Sequence, residues 1–171
     1  MSKLLRGLAL CLLLSASSAP AAGDRGMVAI GLDEWRGILA EQRPAIVVVD
    51  LWASWCVSCI ERFPEMVTMV DRYADQDVAF ITLNLDDPRD QEGIDWSNAF
   101  LDRIGADFPS YHLRENLTVS FEALDLLAIP VVLIYDGTGV ERFRLTNDDP
   151  NDQFDEGDIE AAVRTLLAER A

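Results

Sequence analysis

Cys56 and Cys59, separated only by Val57 and Ser58, are the residues of this sequence whose types and spacing are best suited to chemistry. A disulfide between them would close too small a loop to constrain the unfolded chain, so stabilisation is not its expected use. Dithiol-disulfide exchange needs one reachable thiolate to attack and a second thiol close enough to resolve the mixed disulfide, and a two-residue spacer supplies both. The competing use of such a pair is zinc, which wants four ligands. With Cys11 placed in a removable N-terminal segment, the only further soft ligand is His112, and no metal is expected.

The elements around the pair strengthen the exchange reading. Residues 46–53 are apolar on both faces, the pattern of a central strand buried between two helical layers. Behind the cysteines, Ile60, Phe63, Met66, Val67 and Val70 recur at helical spacing, with Pro64 inside the helix. Cys56 therefore falls where a strand ends and a helix begins. Unpaired N–H groups and the positive end of the helix dipole there favour the thiolate. Cys56 is expected to attack, and Cys59, one turn inward, to resolve.

The remaining chain reads as alternating strands and helices. Residues 27–30 form a short strand, Asp33 caps a helix over 34–42, and Pro44 stops it. A strand over 78–85 ends in the turn-rich stretch 86–90, followed by a helix at 95–104, a short strand at 110–113 and a helix at 117–126. Residues 131–135 and 140–145 are strands around the turn at 136–139, and an amphipathic helix covers 157–169. The fold class is α/β, a mixed sheet between helices. His112 is placed at a strand edge with no catalytic role. Asp86, Asp87 and Asp90, and then Asp148, Asp149, Asp152 and Asp155, lack EF-hand spacing and read as solvated loops.

Lys3 and Arg6 precede the apolar run 8–14, and small residues follow to Gly23, with Ala19-Pro20-Ala21 as a cleavage pattern. Residues 1–22 are read as a secretory signal peptide and 23–171 as one domain. The apolar run falls short of the roughly 20 residues a membrane anchor needs, so the mature chain is expected to be soluble outside the cytoplasm, or tethered if uncleaved. Without Lys3 and Arg6 the chain has 12 basic against 30 acidic residues, for a charge of −18 and no lysine. That excess excludes nucleic acid as a partner and suits a solvated surface. A monomer is expected.

Several motifs in order carry a family resemblance: Val49-Asp-Leu-Trp-Ala-Ser-Trp-Cys-Val-Ser-Cys59, Pro64, and Ala128-Ile-Pro130 before a strand-Gly-strand ending. Over about residues 27–171 this resembles thioredoxin. The resemblance implies a thioredoxin fold, a redox-active Cys56–Cys59 disulfide needing no other cofactor, and a cis Ile129–Pro130 bond facing it, where a substrate's extended chain can pair. It makes Asp50 the buried acid that relays a proton to or from Cys59, its pKa raised by desolvation, and sets Trp52 and Trp55 as an aromatic shoulder, with Trp55 at the substrate side.

The extra helix and strand at 94–113 resemble an insertion of the exported TlpA-like and ResA-like reductases, although residues 33–43 look more like thioredoxin's own first helix. Protein dithiols or disulfides are the implied substrates, with a membrane thiol carrier as electron donor. The spacer Val57-Ser58 puts no cation beside the thiolate, which leaves an oxidase or isomerase as the alternative direction. A non-enzymatic binding or chaperone module is a further alternative. A copper-delivery protein of this fold would need a spacing one residue longer.

Overall fold

The computed structural model describes residues 26–43, 45–149, 151 and 153–170. The expected signal peptide, the Pro44 stop and Asp152 lie outside them. In chain order the elements are β1 (Val28–Ile30), α1 (Leu32–Glu41), β2 (Ile46–Trp52), α2 (Val57–Tyr73), β3 (Val78–Asn84), α3 (Gln91–Arg103), β4 (Ser110–Leu113), α4 (Leu117–Leu124), β5 (Val131–Tyr135), β6 (Glu141–Thr146) and α5 (Glu156–Arg170). The six strands form one sheet in the order β1-β4-β3-β2-β5-β6. β1, β4, β3 and β2 run parallel, and β5 and β6 are antiparallel to their neighbours.

All seven residues of β2 are buried, because helices cover both faces of the sheet. Strand alternation sends Ile46, Val48, Asp50 and Trp52 to one side and Val47, Val49 and Leu51 to the other. The first side packs under α2, α3 and α5, through Phe63, Met66, Phe100, Ile159 and Val163. The second packs against α1 and α4, through Trp35, Leu117 and Phe121. Asp50 is thus a carboxylate on the apolar face that α2 and α5 cover.

Two helix starts differ from expectation. α1 begins at Leu32 with Gly31, not Asp33, as its N-cap: Glu34 reaches back and its carboxylate accepts the Gly31 N–H at 2.7 Å. Asp33 lies in the first turn, ion-paired to Arg36. α3 begins four residues before the expected start, because Asp90 caps it, its carboxylate accepting the Gly93 N–H at 3.1 Å. His112 is not at a sheet edge. β4 inserts between β1 and β3, pairing His112 with Ala29 on one side and Asn84 on the other, and its ring is buried.

Asp86 is likewise no solvated loop residue: it is 1% exposed. One carboxylate oxygen accepts the Ser54 N–H at 2.9 Å and the Ser54 hydroxyl at 2.8 Å. The other accepts the Ser97 hydroxyl at 2.7 Å and the Asn84 amide at 2.9 Å, while His112 Nε2 donates to the Asp86 carbonyl at 2.9 Å. One side chain therefore ties the loop entering the cysteines to β3 and α3, and its backbone is held by β4. Gly93 makes this contact possible, since a Cβ there would lie 2.7 Å from the Asp90 carboxylate and 3.0 Å from the Ser54 hydroxyl. Asp86→Ala would strand four donors on three residues, those of Ser97 and Asn84 buried, at about 1–3 kcal/mol for each buried group left unpaired. We expect it to lower unfolding stability by about 3 kcal/mol in urea titration, whereas Asp87→Ala, on the exposed side of the same turn, leaves the midpoint within experimental error.

Candidate active site

The CxxC pair sits where β2 hands over to α2. Cys56 is the N-cap of α2, and its sulfur accepts the Cys59 N–H at 3.3 Å. The two cysteines form a disulfide, with 2.06 Å between sulfurs. They differ in access: Cys56 keeps 6% of its surface and Cys59 none. The Cys56 sulfur lies against the unpaired N–H groups of the helix start, so once reduced it is the thiol the helix favours as thiolate and the one a partner can reach. Cys59 faces inward, its sulfur 3.9 Å from the Leu51 carbonyl.

The two tryptophans of the motif have separate fates. Trp55 is 52% exposed beside the disulfide, as is its neighbour Val57 at 67%. Trp52 is wholly buried, its ring edge-on to Phe63 at 4.8 Å and 5.8 Å from Phe100, so it belongs to the core rather than to an exposed shoulder. The Ile129–Pro130 bond is cis. Because Val131 pairs with Leu51 in antiparallel register, that bond lies at the end of the sheet where β2 runs toward the cysteines. Pro130 is buried, while Leu127 before it is 85% exposed.

Asp50 is 3% exposed, and burial raises its pKa from the ordinary 3.8 to about 6, against the downward pull of Arg62. Arg62 is the partner that sequence reasoning missed. Its Nη2 donates to both carboxylate oxygens, at 2.7 and 2.8 Å, and its guanidinium lies 4.8 Å from the centre of the Phe154 ring. The signal was present: Arg62 stands three residues after Cys59 and one before Phe63, so it shares the buried face of α2. A charge on that stripe requires a buried counter-charge, and Asp50 is the acid beneath it. Cys59 and Arg62 thus stand one turn apart on α2, and the guanidinium of Arg62 holds the Asp50 carboxylate of β2 beneath them.

Among the described residues no group of three or more His, Cys, Asp or Glu is placed to hold a metal ion. The His112 ring donates to the Asp86 carbonyl.

The Thioredoxin family profile matches residues 27–93. No curated protein matches the chain by sequence. Solved structures do match in fold. The thioredoxin domain of a thiol-disulfide oxidoreductase from Bacteroides vulgatus aligns at 15% identity with a TM-score of 0.61, covering 75% of this chain and 84% of that one. A thiol-disulfide isomerase from Corynebacterium glutamicum aligns at 20% identity and TM-score 0.59, over 75% and 84%. A secreted Mycobacterium tuberculosis disulfide oxidoreductase aligns at 14% identity and TM-score 0.58, over 74% and 86%.

The Asp50–Arg62 pair makes its own stability prediction. Asp50 titrates higher in the folded chain than in the unfolded one. Its contribution to stability is therefore complete below pH 3.8 and lost as pH rises through about 6, to the extent of about 3 kcal/mol. Asp50→Asn should flatten the stability curve between pH 4 and 7, as read by urea midpoints. At pH 7, Asp50→Leu alone should cost about 3–5 kcal/mol by stranding the guanidinium, and adding Arg62→Met should restore most or all of that loss.

Proposed function

We propose, from the premise that this chain belongs to the thioredoxin superfamily, that it is an exported thiol-disulfide oxidoreductase working as a reductase on protein disulfides. The observation that carries this reading is the Cys56–Cys59 disulfide at the N-terminus of α2, with one sulfur reachable and the other buried. The disulfide itself is the redox group, so the reading requires no cofactor.

In the reduced protein, the Cys56 thiolate attacks a substrate disulfide, forming a mixed disulfide and expelling one substrate thiolate. The Asp50 carboxylate takes the proton from Cys59, directly or through water. The Cys59 thiolate then attacks the Cys56 sulfur, which closes the Cys56–Cys59 bond and releases the second substrate thiolate. Two electrons pass from the dithiol to the substrate, and a membrane thiol carrier restores the dithiol. A substrate's extended segment would pair along the backbone at Ile129–Pro130, with Trp55 as its apolar contact.

Export is supported by the charged, then apolar, then small-residue pattern of residues 1–22. No helix among the described residues is long and apolar enough to cross a membrane. The insertion α3–β4 supports a likeness to the TlpA-like and ResA-like reductases, and nothing in the reading requires more than one copy of the chain.

Two measurements test the proposal. Residues 23–171 should reduce insulin with dithiothreitol as donor, and Cys56→Ser should abolish turnover. Cys59→Ser should stall at a mixed disulfide visible as an added mass; no turnover by the wild type with any dithiol donor refutes the enzymatic reading. A couple potential near about −270 mV supports reduction, and one near about −120 mV assigns the opposite direction.

A further inference from the structure

Below Asp50, away from the disulfide, Val48, Asp50, Arg62, Met66, Met69, Val132, Glu156 and Ile159 enclose a cavity that offers about 10 Å³ to the centre of a water molecule, room for one. Its walls are apolar except for three side chains. Arg62 spends only Nη2 on Asp50, and its Nε and Nη1 are buried without any protein partner, although the side chain is only 10% exposed. Two N–H donors of a buried cation left unpaired would cost several kcal/mol, whereas a single water accepting from one of them and donating to a carboxylate removes much of that penalty. Glu156, in the first turn of α5, lines the same cavity and is partly exposed. Phe154 lies over the guanidinium. The cavity therefore touches a buried carboxylate at one end and a carboxylate in contact with solvent at the other.

We infer that this cavity holds a water through which the proton taken up by Asp50 leaves to solvent at Glu156, on the α2–α5 face and away from the docked substrate. The inference rests on the reading of Asp50 as the group that deprotonates Cys59. It adds an exit, and with it roles for Arg62 and Glu156 as positioning residues. Access from the disulfide side is poor during turnover: Cys59 is fully buried there, and a mixed disulfide on Cys56 would cover the opening further. The charged or titratable side chains facing the path are Cys59 and Arg62 from α2, Asp50 from β2 and Glu156 from α5. β5 presents Val132, and β3 presents Thr82, in register with Asp50 and with its hydroxyl buried and unpartnered. The proton balance is simple. Cys59 loses a proton to Asp50, Asp50 passes one to the water, the water passes one to Glu156, and Glu156 releases it to bulk.

The test uses the reduced mature chain mixed rapidly with 5,5′-dithiobis(2-nitrobenzoate), whose two coloured thiolates leave in sequence. The first reports attack by Cys56 and the second resolution by Cys59. Glu156→Gln keeps size and polarity but cannot carry the proton. It should slow the second phase about five-fold or more between pH 6 and 8 while leaving the first unchanged, and Glu156→Asp should recover most of the rate. Val132→Leu, which adds bulk to the cavity wall and leaves all three polar side chains in the sequence, should likewise slow the second phase and spare the first. If Val132→Leu does not fold, Glu156→Gln decides alone. A second phase unchanged in Glu156→Gln, or both phases slowed equally, overturns the inference while the insulin-reducing wild type keeps the oxidoreductase reading intact. A wild type that fails to reduce insulin overturns both.

Discussion

A carboxylate cannot lie under an apolar helix unless something of opposite charge lies there with it, and the Asp50–Arg62 pair is the constraint that the rest of this molecule is arranged around. Taking two charges out of water costs several kcal/mol for each ion. Closing α2, β2, β5 and α5 around the pair imposes that cost, and the two hydrogen bonds from Arg62 to the carboxylate, with Phe154 laid across the cation, offset it. The same closure seats the N-terminus of α2 at the end of β2, where Cys56 becomes the helix cap. The interaction that makes the acid tolerable and the geometry that makes the cysteines reactive therefore come from one packing arrangement. Replacing the pair by apolar residues would suit the core as well or better, which argues that chemistry rather than stability keeps it.

A second polar centre, around Asp86, holds the approach to the cysteines from the other side. It links the partly buried Ser54 to α3 and to the sheet through the buried side chains of Asp86, Ser97 and Asn84. The insertion α3–β4 is thus built into the wall of the site. β4 lies between β1 and β3, so that β1 is an outer strand of the six, and the cysteines and the proline loop are mounted on the β3-β2-β5 centre.

Much of this was legible in the chain. The unbroken apolar run of β2, the helical periodicity behind Cys59 and the turn at 136–139 named their elements because each is a strong local signal, periodic or punctuated by Gly. Cys56, Cys59 and Asp50 were found by residue type and by resemblance. What escaped was long-range or set by caps. The starts of α1 and α3 were misplaced because Glu34 and Asp90 act on backbone N–H groups three residues away, which apolar periodicity does not register. His112 looked like an edge residue because its flanks do not reveal that β1, whose Ala29 is 83 positions earlier in the chain, comes to lie beside it. Asp86 looked like one of several loop acids, since only the fold brings Ser54 and Ser97 to it. Trp52 and Trp55 carry the same side chain three positions apart, and strand alternation followed by a turn sends one inward and the other out.

The way Arg62 holds Asp50 has a consequence for how charge is counted beneath α2. Before Cys59 loses its proton, the enclosed charges are the guanidinium and the carboxylate, and they sum to zero. In the proposed step, with the proton on Asp50 and not yet released, the negative charge would sit on sulfur, one helical turn from the same guanidinium, and the sum would still be zero. Such a step would relocate a charge around a fixed cation and create no new one. On that reading, a chain whose formal net charge is −16 would pass through its most polar moment without drawing in a counter-ion, and the acidity of the surface would not oppose the appearance of a thiolate inside.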